Sequence, residues 1–153
     1  MEENRDRSVI GWSARQKFFI VLFLRLIGGV SLLAFAAALM PEKWMIEIAE
    51  ELGINDFPAH RLTFYLARNL SLLYGFVGVT LLVVSADLET YVSLVRKIAV
   101  GTVIFGVLQL VVDAISKLPL WWTLTEGGST ICGGLLLFWL QSGGYSRREN
   151  SEK

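Results

Sequence analysis

The sequence predicts an all-α protein, a four-helix transmembrane bundle with a short amphipathic surface helix in the first external loop. Three observations predict this fold class. The 153 residues are 54% hydrophobic and only 18% charged, which is too apolar for an ordinary soluble domain. The apolar residues form four stretches, each near the length of about 20 residues that crosses a bilayer. The charged residues gather in the tails and in the loops between those stretches.

The four stretches define the predicted spans and the domain organisation. The spans are residues 18–40, 63–85, 98–116 and 120–140. Residues 1–17 are predicted to form a cytoplasmic amphipathic N-terminal tail, residues 18–141 the membrane domain, and residues 142–153 a mobile cytoplasmic tail. The loops after the second and third spans are short. Spans two and three, and spans three and four, are therefore predicted to be antiparallel neighbours.

The first span has an alternative interpretation as a cleavable signal peptide. Basic residues precede it, and Ala34-Phe35-Ala36 resembles a cleavage site. The apolar run is longer than a signal sequence needs, and it contains Arg25. A membrane span is therefore the favoured interpretation.

The loop after the first span is predicted to contain a short helix that Pro41 opens and Gly53 closes. Its glutamates share one face and its apolar residues share the other, so we expect it to lie flat on the outer membrane surface. It would seal the end of the bundle there or, alternatively, dock a partner or gate a site. The apolar face consists of Met45, Ile48, Ala49 and Leu52.

The distribution of Lys and Arg predicts the topology. Nine basic residues flank the spans on one side, namely Arg5, Arg7, Arg15, Lys17, Arg96, Lys97, Arg147, Arg148 and Lys153. Three flank them on the other side, namely Lys43, Arg61 and Lys117. The positive-inside rule therefore predicts that both termini are cytoplasmic, and we expect the protein in a bacterial inner membrane.

Composition excludes several classes of function. The formal net charge is zero and basic residues are mixed with acidic ones, so we expect no nucleic-acid partner. Cys132 is the only cysteine and His60 the only histidine. The chain therefore has no thiol pair and no histidine-rich metal or haem site of its own, and we expect neither metal nor cofactor.

Charged residues within the spans are the candidate site. Such residues cost about 2.5 to 3.5 kcal/mol at the centre of a bilayer, so they are normally paired, inward-facing or near an interface. Three spans bring polar groups to a depth of about 5 to 10 Å from the outer boundary. We predict that Arg68 bridges Asp113 and Glu126, with Gln109 and Asn69 nearby.

This buried polar cluster has two interpretations. One arginine can neutralise only one of two carboxylates, so the other could bind or transfer a proton. Alternatively, the same pairing only holds the helices together. Arg68 could also turn outward, because side chains on a helix lean toward its N-terminus.

Two further features concern helix packing and a second charge. Arg25 is the second intramembrane charge, predicted either to reach the inner interface or to face the bundle interior. Small residues at four-residue spacing permit close helix approach. The predicted packing positions are Gly28, Gly29, Ser71, Gly75, Gly133 and Gly134.

The start of the first span, Leu24-Arg25-Leu26-Ile27-Gly28-Gly29, running on to Pro41-Glu42-Lys43, resembles the first span of DoxX-like small four-helix bacterial membrane proteins. The size and four-span layout are similar as well. The resemblance implies a four-helix bundle, and it implies that the chain could be a subunit or partner of a membrane oxidoreductase.

Together these observations predict a non-catalytic integral membrane protein that is an accessory or scaffold subunit of a bacterial inner-membrane complex. Its partners would be the lipid bilayer and either another membrane protein or further copies of itself. The alternative is a small transporter or channel for protons or a small solute that uses the buried polar cluster. A third possibility is an intramembrane acid/base enzyme, although no catalytic constellation is recognisable.

Overall fold

The computed structural model describes residues 12–54 and 57–142, and every regular element in these ranges is an α-helix. The predicted all-α class is therefore confirmed. The helices are α1 (Ala14–Ala38), α2 (Glu42–Glu51), α3 (Arg61–Ala86), α4 (Val92–Ile115) and α5 (Leu120–Ser142).

Three of these helices, α1, α3 and α4, are long and apolar enough to cross a membrane, judged by length and composition. Helix α5 is 23 residues long, but polar and small residues from Thr123 to Thr130 lower its hydropathy. The part of the chain that the structure describes is therefore helical, with three helices able to span a membrane. Four spans stay a prediction.

Helices α1, α3 and α4 begin before their predicted spans, and the difference is largest for α1 and α4. Helix α1 starts at Ala14, because Ser13 and Gln16 form a reciprocal cap. The Gln16 N–H donates to Ser13 Oγ at 3.2 Å, and the Ser13 N–H donates to Gln16 Oε1 at 3.0 Å. Helix α4 starts at Val92, six residues before the predicted span at 98. Hydropathy locates the part of a helix that lipid can surround, whereas capping and turns decide where the helix itself begins.

The short helix predicted in the first loop is present as α2. Its C-terminus has the geometry of a Schellman motif: Gly53 has φ +82°, the Gly53 N–H donates to Glu50 O, and the Ile54 N–H donates to Ala49 O. Glycine occupies this left-handed position without steric cost. This is why the helix ends where the sequence predicted.

Helix α4 ends in the same motif without a glycine. Lys117 has φ +55°, its N–H donates to Ala114 O, and the Leu118 N–H donates to Asp113 O at 3.1 Å. A left-handed conformation is unfavourable for a residue with a Cβ. The hydrogen bond from the Leu118 N–H to the Asp113 carbonyl oxygen belongs to this turn, so the turn places Asp113 close to the start of α5.

The chain divides into two compact units. Unit 2 is Leu24–Ala86. Within it, α1 and α3 approach closely where two glycines face each other: a Cβ on Gly78 would lie 2.7 Å from the Gly28 carbonyl oxygen and 3.0 Å from the Leu32 nitrogen. A Cβ on Gly75 would lie 2.6 Å from the Phe35 ring. Unit 2 is thus built on a glycine contact between helix backbones.

Unit 1 comprises the chain up to Phe23 and the chain from Asp87 onward. Helices α4 and α5 pack along each other there, again through glycines. A Cβ on Gly106 would lie 3.0 Å from the Ile131 nitrogen, and a Cβ on Gly134 would lie 2.9 Å from the Val103 nitrogen. We call this contact the α4–α5 seam. It positions the polar residues described below.

Some predictions fall outside the described residues. They include the predicted N-terminal tail up to residue 11 and the predicted mobile tail from residue 143 onward. Five of the nine basic residues used for the topology lie there, namely Arg5, Arg7, Arg147, Arg148 and Lys153.

Candidate functional site: polar residues of the α4–α5 seam

A carboxylate in the α4–α5 seam has both of its oxygens hydrogen-bonded. Gln109 Nε2, on α4, donates to Glu126 Oε1 at 3.1 Å, and Trp122 Nε1, on α5, donates to Glu126 Oε2 at 2.6 Å. Trp122 and Glu126 are one helical turn apart, which places them on the same face of α5. The resulting group of three side chains links the two helices.

The backbone carbonyl oxygen of Glu126 also accepts hydrogen bonds from side chains of α5. The hydroxyl groups of Ser129 and Thr130 donate to the Glu126 carbonyl oxygen at 3.1 and 2.9 Å. Helix α5 runs without interruption through the polar and small residues that follow Glu126. These bonds satisfy the two hydroxyl groups within α5, so neither hydroxyl needs a partner outside the helix.

Asp113 differs from Glu126 in that one of its oxygens has no partner. The residue is only 6% exposed, and its Oδ2 accepts no hydrogen bond. Gln109, one turn earlier on α4, likewise has an unpaired buried Oε1. Two acceptors on one face of α4 are thus left without donors, each at a cost of about 1 to 3 kcal/mol. A hydroxyl, an ammonium group or a water molecule has the chemistry to satisfy them.

Arg68 is paired within unit 2. Its guanidinium lies 3.6 Å from Glu42 Oε1, and its Nη2 donates to the Met40 carbonyl oxygen at 3.4 Å. Both partners lie at the start of α2, toward which the side chain leans from the N-terminal part of α3. Arg68 therefore links α3 to the start of α2, a contact that the sequence did not predict.

Of the five predicted cluster residues, the structure brings Gln109 and Glu126 into direct contact. Asn69 donates from Nδ2 to the Tyr65 carbonyl oxygen of its own helix at 2.9 Å and is exposed. The meeting of Arg68 with Asp113 and Glu126 stays a prediction. Arg25, the second intramembrane charge, is exposed on α1.

The predicted packing positions have different surroundings. Gly28, Gly75 and Gly134 lie at close approaches, whereas a Cβ on Gly29 would meet nothing within 4 Å and one on Gly133 would lie 3.8 Å from Phe23. Ser71 is half-buried. Close packing also involves three glycines that were not among the predicted packing positions, namely Gly78, Gly106 and Gly127.

Two contacts of the site were missed from the sequence. Trp122 was not among the predicted cluster residues, although its spacing of four residues from Glu126 could have indicated the hydrogen bond. Nothing in the sequence indicated that Glu42 contacts Arg68, because the two residues lie far apart in the chain. Within residues 12–54 and 57–142, the His, Cys, Asp and Glu side chains form no group of three that could hold a metal ion.

The hydrogen bond between Gln109 and Glu126 should be measurable as a coupling between α4 and α5. We expect a double-mutant cycle of Gln109→Leu and Glu126→Leu to give a coupling free energy of about 1 kcal/mol, since bonds between membrane helices average about 0.6 and reach about 1.7. The measurement is the free energy of unfolding by SDS titration in mild detergent. Thr125 bonds only to carbonyl groups of its own helix, so the control cycle of Gln109→Leu with Thr125→Val should give no coupling. Equal coupling in both cycles would contradict the assignment.

Comparison with protein-family models, with curated proteins and with solved structures found no match. The resemblance to DoxX-like proteins therefore stays a prediction.

Proposed function

We propose that this chain is a non-catalytic integral membrane protein that crosses the bilayer four times, has both termini in the cytoplasm, and is an accessory or scaffold subunit of a bacterial inner-membrane complex. The observation that carries the proposal is the close packing of the α4–α5 seam. Its glycines bring backbone atoms to about 3 Å from where a Cβ would lie. That distance leaves no room for a file of water or a solute between these two helices.

The pairing of Glu126 supports the same role. Both carboxylate oxygens are occupied by N–H donors from the protein, so the group serves as a fixed acceptor that joins α4 to α5. A carboxylate that carries a proton across a membrane needs an exchangeable partner such as water. The arrangement at Glu126 favours a structural function.

Helix α5 has properties that support a fourth span. Its 23 residues extend about 35 Å, more than the roughly 30 Å of hydrocarbon. Its most polar side chain, Glu126, is hydrogen-bonded in the seam, which lowers the cost of placing it in lipid. Large apolar side chains remain exposed on the same helix, namely Leu124, Leu135, Leu136, Phe138 and Trp139.

The topology is tested with single cysteines at three exposed serines in a Cys132→Ser background. In spheroplasts, a membrane-impermeant maleimide should label Ser116→Cys, which follows α4, and should spare Ser93→Cys and Ser142→Cys. Labelling of Ser142→Cys together with Ser116→Cys, while Ser93→Cys is spared, would show that α5 does not cross. Labelling of Ser93→Cys would show that the orientation is reversed. Permeabilised cells provide the control for reactivity at all three positions.

The subunit role is tested by purification of the tagged full chain from its membrane in mild detergent. We expect one membrane protein to co-purify at a constant ratio to the chain, and cross-linking in intact membranes should capture the same partner. Recovery of the chain alone by both methods would overturn the subunit role without affecting the topology.

A specific observation supports a second function, that of a small transporter or channel for protons or a small solute. It is the pair of unpaired buried acceptors on Asp113 and Gln109. In liposomes, a transporter would lose pH-dependent flux on Asp113→Asn but keep it on Glu47→Gln, a matched change on α2 outside the α4–α5 seam. Absence of flux from the unmodified chain, or equal flux from both variants, excludes this alternative.

A further inference from the structure

A small cavity lies in unit 1 where α4 begins and α5 ends. Its volume is about 160 Å³, close to that of five water molecules at about 30 Å³ each. Trp12, just before α1, and Gln141, near the end of α5, are buried at 7% exposure and form its floor. Ser93 and Arg96 form its exposed rim on α4.

The cavity combines an apolar wall with a cationic rim. Trp12, Val92 and Phe138 are the apolar residues that line it. The Arg96 guanidinium carbon lies 5.9 Å from the centre of the Phe138 ring, a distance at which the ring attracts the cation and helps to hold it at the rim. An amphiphile with an anionic group fits this combination of surfaces.

The first turn of α4 adds hydrogen-bond donors at the same rim. Val92 and Ser93 line the cavity, and Tyr91, which precedes them, provides no side-chain cap for the helix. The N–H groups of a first helical turn have no partners within the helix and carry partial positive charge. Together with Arg96 they form a surface that favours an anion such as phosphate.

The acidic residues of the preceding turn have their own contacts. Glu89 forms an ion pair with Lys17, and the Asp87 carboxylate accepts a hydrogen bond from the Thr90 N–H at 3.2 Å. The carbonyl groups at the end of α5 carry partial negative charge. An anion in the cavity is therefore expected on the α4 side, next to Arg96.

We propose that this cavity binds the headgroup phosphate of an anionic phospholipid from the cytoplasmic leaflet. The phosphate lies against Arg96, Ser93 and the first turn of α4, while the glycerol contacts Trp12, Val92 and Phe138. The volume admits a phosphate and part of the glycerol, so the acyl chains lie outside along the exposed apolar helix surface. The proposal goes beyond the subunit role and rests on the predicted membrane insertion with this end at the cytoplasmic side.

The test is lipid binding to the purified full chain in an uncharged detergent. A phosphatidylglycerol, a phosphatidylcholine with the same acyl chains, and inorganic phosphate are titrated separately, and native mass spectrometry counts the bound molecules. We expect saturable binding of one phosphatidylglycerol per chain. Phosphatidylcholine should bind at least about fivefold more weakly, and inorganic phosphate should not compete.

Two variants with the same change of charge separate a specific site from general attraction. Arg96→Gln removes the cation at the rim, and Lys97→Gln removes the adjacent cation, which does not line the cavity. We expect Arg96→Gln to weaken phosphatidylglycerol binding about fivefold and Lys97→Gln to weaken it less than twofold. Circular dichroism melting confirms that both variants are folded.

Several outcomes would overturn the proposal. Equal weakening by the two variants would show diffuse attraction to the basic surface. Phosphatidylcholine carries the same phosphate but no net charge, so equal binding of both phospholipids would show that the cavity does not select an anionic lipid. Competition by inorganic phosphate would identify a free anion as the ligand. Binding in detergent requires neither a partner protein nor a fourth span, so these outcomes are independent of the tests of the proposed function.

Discussion

Replacement of Gly78 by alanine should destabilise unit 2 by about 1 to 3 kcal/mol, because the added methyl group would meet backbone atoms. The Cβ would lie 2.7 Å from the Gly28 carbonyl oxygen and 3.0 Å from the Leu32 nitrogen. A side chain could rotate away, but these atoms belong to the α1 backbone, so α1 and α3 must move apart. Separation is costly in lipid, where packing rather than hydrophobic burial holds helices together.

The measurement is the free energy of unfolding by SDS titration, followed by circular dichroism in mild detergent. Gly29→Ala is the matched control, since a Cβ there would meet nothing within 4 Å and alanine favours a helix over glycine. We expect Gly29→Ala to unfold at an equal or higher SDS fraction than the unmodified chain. If Gly78→Ala were as stable as Gly29→Ala, the contact between α1 and α3 would be wrong.

Replacement of Gly134 by alanine should have an effect of similar size on the α4–α5 seam. Its Cβ would lie 2.9 Å from the Val103 nitrogen and 3.0 Å from the Ala99 carbonyl oxygen. We expect a loss of about 1 to 3 kcal/mol, measured by the same SDS titration. Gly101→Ala, on α4 with open space around it, should cause no loss.

The Gly134 variant also tests whether packing and polar contacts in the seam depend on each other. If α4 and α5 move apart, the hydrogen bond from Gln109 to Glu126 should lengthen and its coupling free energy should fall toward zero. The double-mutant cycle is therefore repeated in the Gly134→Ala background. A coupling that stays unchanged there would show that the hydrogen bond forms independently of the glycine packing.

These expectations bear on what the polar residues of the α4–α5 seam contribute. In the α4–α5 seam both carboxylate oxygens of Glu126 are hydrogen-bonded, and glycines let the two helix backbones approach closely. Such a contact holds the two helices in one fixed arrangement. The unpaired acceptors of Asp113 and Gln109 are the part of the seam that packing does not explain. Flux measurements on Asp113→Asn decide whether they belong to a transport function.

The predictions from sequence succeeded where local chemistry decides the outcome. Pro41 and Gly53 located α2 because one begins a helix readily and the other accepts a positive φ. Long apolar stretches located α1, α3 and α4 because a membrane-length helix needs little else to be recognised. The polar residues near Glu126 lower the hydropathy of α5, and for that reason α5 is confirmed as a helix while the fourth span stays a prediction.

Contacts between distant residues were less predictable. Gln109 and Glu126 were predicted to be near each other from their depth, and they are hydrogen-bonded. The meeting of Arg68 with Asp113 and Glu126 stays a prediction, and the structure adds Glu42 and Met40, near the start of α2, as partners of Arg68 that the sequence did not predict. Helical phase gives the face on which a residue lies. It does not give the direction of a long, flexible side chain.

The sequence by itself determined that this protein is helical, that at least three of its helices suit a membrane, and where a short amphipathic helix interrupts them. These properties depend on composition and local backbone preference. Only the tertiary structure decided which glycines are contact points, which acids have partners, and that Trp12 and Arg96 line one cavity. Those properties depend on the separation and rotation of packed helices, to which residues far apart in the chain contribute together.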